Sequence, residues 1–186
     1  MRLSILSLLF LACCTSTRAV PIATGASIDL LDPETFGCGI ALEQTIESNW
    51  GGQVASMDCV LEIDSESIRL VGLTPVGSTS FSIIYNGKEV WVDDRTSGRL
   101  PADPRRILAA LQLALWPELP TLSGLTLVES RENGGRVRRL ISNTRVVVSV
   151  TYAATGAPWL GPIDFVHHEL DYSLHIETVR WERLAP

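Results

Sequence analysis

Short runs in which apolar and polar residues alternate dominate this chain, and turn-forming residues separate them. A period of two is the mark of a strand with one buried face. Phe36, Cys38, Ile40 and Leu42 alternate with small or polar neighbours, as do Met57, Cys59, Leu61 and Ile63. This pattern predicts a weak strand at 27–31 and then strands at 37–47, 53–63, 67–73, 79–85 and 88–93. It resumes at 122–129, 137–142, 146–152, 162–167 and 172–181. Turns rather than helices join the runs, so neighbours are expected to pair antiparallel. Asn86-Gly87 suits a two-residue type I′ turn that pairs Tyr85 with Lys88, Ile83 with Val90 and Phe81 with Val92. A loop at 168–171 pairs His167 with Tyr172, Phe165 with Leu174 and Ile163 with Ile176, all on one face.

One stretch breaks the alternation. Asp103 can cap a helix, Pro104 suits its first position, and Ile107, Leu108, Leu111, Ala114 and Leu115 follow at helical spacing until Pro117 stops the run after Trp116. A helix at 104–116 is too short to persist alone, so its apolar stripe must pack on the apolar face of the sheet. The expected fold is mainly β: a curved antiparallel sheet of about ten strands, an incomplete barrel with one inserted amphipathic helix. Its 186 residues suit one domain, spanning 20–186.

Residues 1–19 read as an export signal. Met1-Arg2 precedes the apolar run Leu3 to Ala12, which suits a signal-peptide core and is too short to span a membrane. Phe10-Leu11-Ala12-Cys13 and Leu11-Ala12-Cys13-Cys14 both resemble a bacterial lipobox, whose cysteine is acylated, with Cys13 preferred because Ala12 precedes it. Thr17-Arg18-Ala19 is the competing, ordinary cleavage site. Export permits Cys38 and Cys59 to form a disulfide, since the Asn49 to Gly52 turn is expected to bring them within a register step or two. Two buried thiols are the alternative.

Charge narrows the chemistry. The net charge of −6, with Lys88 the one lysine, lacks the basic face that nucleic-acid binding needs. Arg131, Arg136, Arg138, Arg139 and Arg145 cluster, but Glu129 and Glu132 are interspersed and a solvated strand face is expected. With a two-residue Asn143-Thr144 turn, Arg139 would oppose Val148 and point inward, where a lone arginine near a cavity mouth suits an acidic headgroup. His167-His168-Glu169 has poor metal-binding spacing, because adjacent strand residues point to opposite faces. His167 is expected on the apolar face beside Tyr172, sharing a hydrogen bond there, with His168 exposed. No Gly-x-Ser-x-Gly elbow or glycine-rich phosphate loop is present. A non-enzymatic protein with no metal and no cofactor is expected.

Export signal, lipobox, strand meander and mid-chain helix together resemble the LolA and LolB lipoprotein carriers, incomplete β-barrels closed by helices over a lipid cavity. In local sequence the chain is similar to a family of small bacterial lipoproteins of unknown function, often encoded beside aryl polyene and fatty-acid-like biosynthesis genes. That similarity covers 51–181 and rests on Leu70 to Gly77 leading into Phe81 to Gly87, on Ile107 to Pro117 and on Asp171 to Thr178. It implies a periplasmic lipoprotein, tethered to the outer membrane, that binds an acyl or polyene-like lipid. The ligand space would be lined by Phe81, Ile83, Leu108, Leu111, Leu115, Trp116, Phe165, Tyr172 and Leu174. The alternative is an interaction module of a cell-envelope assembly, with the same fold and a filled core and an envelope protein as its partner.

Overall fold

The computed structural model describes residues 18–95, 100, 102–119, 121–153 and 156–184. Cys13, Cys14 and the export segment before Arg18 lie outside these residues. The chain runs through β1 (Ala19–Ala23), β2 (Ala26–Asp29), a 3-10 turn at Pro33–Phe36, β3 (Ile40–Trp50), β4 (Gln53–Ile63), β5 (Ile68–Leu73), β6 (Thr79–Tyr85) and β7 (Val90–Asp94). The helix α1 (Pro104–Leu115) comes next, then β8 (Leu122–Ser123), β9 (Thr126–Glu132), β10 (Gly135–Ser142), β11 (Arg145–Tyr152), β12 (Ile163–His167) and β13 (Tyr172–Arg183).

Ten strands form one curved antiparallel sheet in the order β7-β6-β5-β4-β3-β13-β12-β11-β10-β9, which does not close into a barrel. The chain meanders outward from β3 to one edge at β7. It crosses to the other edge through α1, then meanders inward from β9 until β13 pairs with β3. The helix is therefore the crossover between the two edges, which is why it lies over the sheet. Its signals work as read: the Asp103 carboxylate accepts the Arg105 N–H at 2.9 Å, Pro104 opens the helix, and Pro117 follows Trp116.

The N-terminal segment was legible only as the weak strand at 27–31. It forms a second, three-stranded sheet, β1-β2-β8, that packs on α1 as well. The predicted strand at 122–129 divides accordingly. Leu122 and Ser123 pair with β2, Gly124 turns at φ +70 where an added Cβ would lie 2.6 Å from the Gly25 carbonyl oxygen, and β9 then joins the large sheet. Helix and sheets share one core that includes Ile28, Leu42, Leu61, Ile83, Leu108, Trp116 and Phe165. Burying each such aliphatic side chain stabilises the fold by about 1.5–3 kcal/mol relative to exposure.

Registers depart from expectation where loop length or a bulge intervenes. The β6–β7 hairpin has a four-residue loop, in which Asn86 Oδ1 accepts the N–H groups of Lys88 and Glu89, so Tyr85 pairs with Val90 and Phe81 with Asp94. This slip of two preserves the faces. Cys38 and Cys59 are free thiols, which corrects the expected disulfide. The Gly51-Gly52 turn pairs Trp50 with Gln53 and therefore Cys59 with Gln44, six residues along β3 from the level of Cys38. At a strand rise of about 3.3 Å per residue that is roughly 20 Å, against a Cα separation of about 4.4–6.8 Å in a disulfide. The β12–β13 hairpin has the expected pairing in full.

Candidate ligand-binding site

The two ends of α1 sit in different surroundings. At the C-terminal end, Arg138 is 1% exposed and donates from Nη1 to the carbonyls of Leu113 and Trp116, both at 3.0 Å. Its Nη2 donates to the Pro117 carbonyl at 3.4 Å, and its Nε pairs with Glu129 at 2.8 Å. The Tyr152 hydroxyl donates to the Ala114 carbonyl at 2.8 Å. These groups satisfy carbonyls that a helix end leaves without partners and place a cation at the negative end of its dipole. Nearby, the Gln112 amide donates to the Leu31 carbonyl and its Oε1 accepts the Leu31 N–H, at 3.0 and 2.9 Å. Trp116 Nε1 donates to Thr35 Oγ1 at 2.9 Å.

Arg138, and not Arg139, is the inward arginine. The bulge between Leu140 and Ile141 leaves Val147 without a partner and shifts the register by one, so Arg139 opposes Ser149 and pairs with Glu132. The partners of Arg138 are three protein carbonyls and a carboxylate, which engage four of its five N–H donors.

At the N-terminal end of α1 the inner face of the sheet is incompletely covered. His167, Tyr172 and Trp50 form a row across β12, β13 and β3, because Tyr172 pairs directly with both others. Their rings stack, with centroids 5.3 Å apart for His167–Tyr172 and for Trp50–Tyr172, and Phe165 lies 5.8 Å from Tyr172. One pleat further in, Leu174, Ser48 and Ala55 share the face, and beyond them Ile176, Ile46 and Met57. Gly72 makes room for Met57 and Phe81, since an added Cβ would lie 2.9 Å from the Met57 sulfur and 2.4 Å from the Phe81 ring. Trp50 is 49% exposed, while Ile46, Met57, Tyr172, Leu174, Ile107 and Leu111 are half-buried against the core.

Beside the aromatic row lies a crevice of about 10 Å³, lined among others by Ile22, Arg106, Ala110, Leu113, His167 and Tyr172. His167 is 2% exposed. Its Nδ1 accepts the Leu170 N–H at 3.2 Å, not a bond shared with Tyr172, so the neutral ring carries its proton on Nε2. That atom is buried without a hydrogen-bond partner among the described residues. Burial lowers the His167 pKa, while the nearby Ile22 carbonyl and Glu169 oppose the shift and Arg106 and His168 add to it. Burial pushes the Tyr172 hydroxyl up to about 12, with Arg106 opposing. His168 is exposed and bonds Ser149 at 2.9 Å. Among the described residues no group of histidine, cysteine or carboxylate side chains could hold a metal ion.

Of the residues expected to line a ligand space, Phe81, Ile83, Leu108, Leu115, Trp116 and Phe165 are sealed in the core, each at most 3% exposed. Leu111, Tyr172 and Leu174 keep partial exposure. The sequence pattern places Met57 on the apolar face of its strand, but it marks neither Trp50 nor Arg106 as a site residue. The pairing of Trp50 with Tyr172 depends on β3 meeting β13, a contact between residues more than a hundred positions apart in the chain.

An open antiparallel sheet crossed on its inner face by one helix defines the class of protein. The chain belongs to the DUF3261 family, proteins of unknown function, whose sequence pattern matches residues 41–180. No curated protein matches it in sequence. Solved structures of similar shape include a Vibrio parahaemolyticus domain described as an outer membrane lipoprotein-sorting protein, 8% identical with TM-score 0.44 over 80% of this chain and 86% of that one. A LolA superfamily protein from Nitrosomonas europaea is 7% identical with TM-score 0.47, covering 80% and 88%. A DUF1329 family protein from Desulfovibrio piger is 8% identical with TM-score 0.40, covering 81% and 88%.

Proposed function

We propose that this protein is an exported, non-enzymatic lipoprotein that binds a hydrophobic chain, acyl or polyene-like, on the inner face of its sheet where α1 begins. The observation that carries the reading is contiguity. Singly exposed apolar residues are ordinary on any protein, but Trp50, Tyr172, Leu174, Ile46 and Met57 adjoin one another and continue into the core. The sealed interior means that the chain would lie along this end and enter deeper only if the N-terminal half of α1 lifted. Saturable uptake of a fluorescent fatty acid by the purified protein tests this. Absence of saturable uptake overturns it.

Tethering at the outer membrane is part of the same reading. The Arg18 carbonyl accepts the Leu30 N–H at 3.1 Å, the Arg18 guanidinium pairs with Asp32 at 2.9 Å, and Ala19 opens β1. Cleavage after Ala19 would remove these contacts, whereas cleavage before Cys13 would keep them, which supports the lipobox. Metabolic labelling with a palmitate analogue should mark the wild type and not the Cys13→Ser/Cys14→Ser variant.

The filled interior favours a second reading, an interaction module of an envelope assembly. Native mass spectrometry of gently purified protein separates the two. Co-purifying lipid supports the first, and a lipid-free mass with a captured envelope protein supports the second.

A further inference from the structure

The crevice beside the aromatic row is chemically one-sided. Its one protonated ring nitrogen, His167 Nε2, is buried and no described residue accepts from it at full hydrogen-bond geometry, the Ile22 carbonyl being the backbone acceptor nearby. Leaving a buried donor unpaired is costly, so such a group is retained where something complements it. Arg106 lines the same crevice and acts electrostatically on both His167 and Tyr172, and no carboxylate among the described residues forms an ion pair with it. Glu169, the acidic neighbour that acts on His167, lies exposed in the β12–β13 turn. Two donor-bearing side chains therefore border this one small space, and the aromatic row leads away from it to Trp50 at the rim.

We infer that this space is an anion subsite, and that the ligand of the proposed apolar surface is a carboxylate-terminated acyl chain. The inference rests on the hydrophobic-binding reading and adds the headgroup to it. A crevice of about 10 Å³ accommodates a single oxygen. One carboxylate oxygen accepts from His167 Nε2, and the other stays at the mouth within reach of Arg106, whose half-buried side chain can adjust. The tail then runs over Tyr172 and Leu174 towards Trp50. A charge-assisted pair of hydrogen bonds at a partly desolvated position distinguishes an acid from a neutral amphiphile of the same length.

Binding of dodecanoate, dodecanol and acetate to the wild type, Arg106→Gln and His167→Phe tests this by titration calorimetry below the micellar range. Arg106→Gln changes a half-exposed side chain that has no ion-pair partner among the described residues and should fold normally, which keeps the test sound should His167→Phe misfold. Dodecanoate is expected to bind about tenfold more tightly than dodecanol, with acetate showing no saturable binding. Arg106→Gln should remove the preference for the acid and leave dodecanol unchanged. Equal affinity for acid and alcohol, or a preference that survives Arg106→Gln, overturns the headgroup subsite while the apolar surface stands. Acetate binding as tight as dodecanoate overturns the amphiphile. Binding of neither long-chain compound overturns both readings.

Discussion

The two ends of α1 differ in how the chain treats backbone and surface. At the Trp116 end Arg138 and Tyr152 bond the carbonyls of Leu113, Ala114 and Trp116, and the Phe36 and Trp116 rings pack edge to face at 4.8 Å. At the Asp103 end the Asp103 carboxylate caps the helix, Arg106 and Ala110 border the crevice beside Tyr172, and Ile107 and Leu111 remain half-buried. The contrast teaches where movement is cheap. Lifting the clamped end would strand a buried guanidinium and several carbonyls, whereas opening the other end costs mainly side-chain contacts.

The largest expected effect comes from breaking the clamp. Arg138→Met should lower stability by about 3–5 kcal/mol in urea unfolding, because the helix carbonyls lose buried donors. Arg139→Met, one residue away on the solvent side, should cost less than about 1 kcal/mol. Equal losses would remove the distinction between the two arginines.

Within the helix, Leu108→Asn places an amide without a partner in the sealed core and should cost about 3 kcal/mol or more, mainly lowering the melting temperature. Leu111→Asn, half-buried, should cost about 1–2 kcal/mol and weaken fatty-acid uptake disproportionately. If the two variants show the same ratio of binding loss to stability loss, the open end is not the binding end.

A smaller effect is expected from pH. His167 has a folded pKa below its ordinary value of 6.5, so between the two values the unfolded chain binds more protons. Stability from this group is full above about pH 6.5 and declines as pH falls towards the folded value. His175 works in the opposite sense: its hydrogen bond with Asp164 raises its pKa, so its contribution is present below 6.5 and fades as pH rises through the folded value. Unfolding measured between about pH 5 and 8 should show the acid-side loss in the wild type and not in His167→Phe.

The smallest expected change in stability is at the rim. Trp50→Ala should cost about 1 kcal/mol or less, since half of the ring is already in water, yet it should weaken uptake of a long acyl chain. Unchanged uptake would move the ligand off the Tyr172–Trp50 stack.

What the sequence disclosed follows from the range of the signals. Asp103, Pro104 and Pro117 act on neighbours within one helical turn, so α1 was legible to within a residue. The His167–Tyr172 hairpin was legible because its loop length and its alternation agree. Period-two alternation records which face a residue occupies but not how far along the partner strand it sits. The cysteines were therefore assigned to the apolar side and still placed at the wrong level. The Val146-Val147-Val148 run gives no hint of which valine the bulge will leave unpaired, so Arg139 was chosen where Arg138 turns inward. The covering of α1 by β1 and β2 depends on contacts such as Gln112 with Leu31, 81 positions apart, which no local pattern announces.

The sheet that stops short of a barrel also bears on self-association. Its edges, β7 and β9, each present a row of backbone donors and acceptors on which a second molecule could extend the sheet. β7 ends in Asp93-Asp94, and β9 carries Glu129, Arg131 and Glu132. Like charges would meet where one β7 edge lay parallel and in register against another. Ionised acidic side chains at these edges oppose such extension, and concentrated stocks of the protein should keep best at pH values where those carboxylates are ionised.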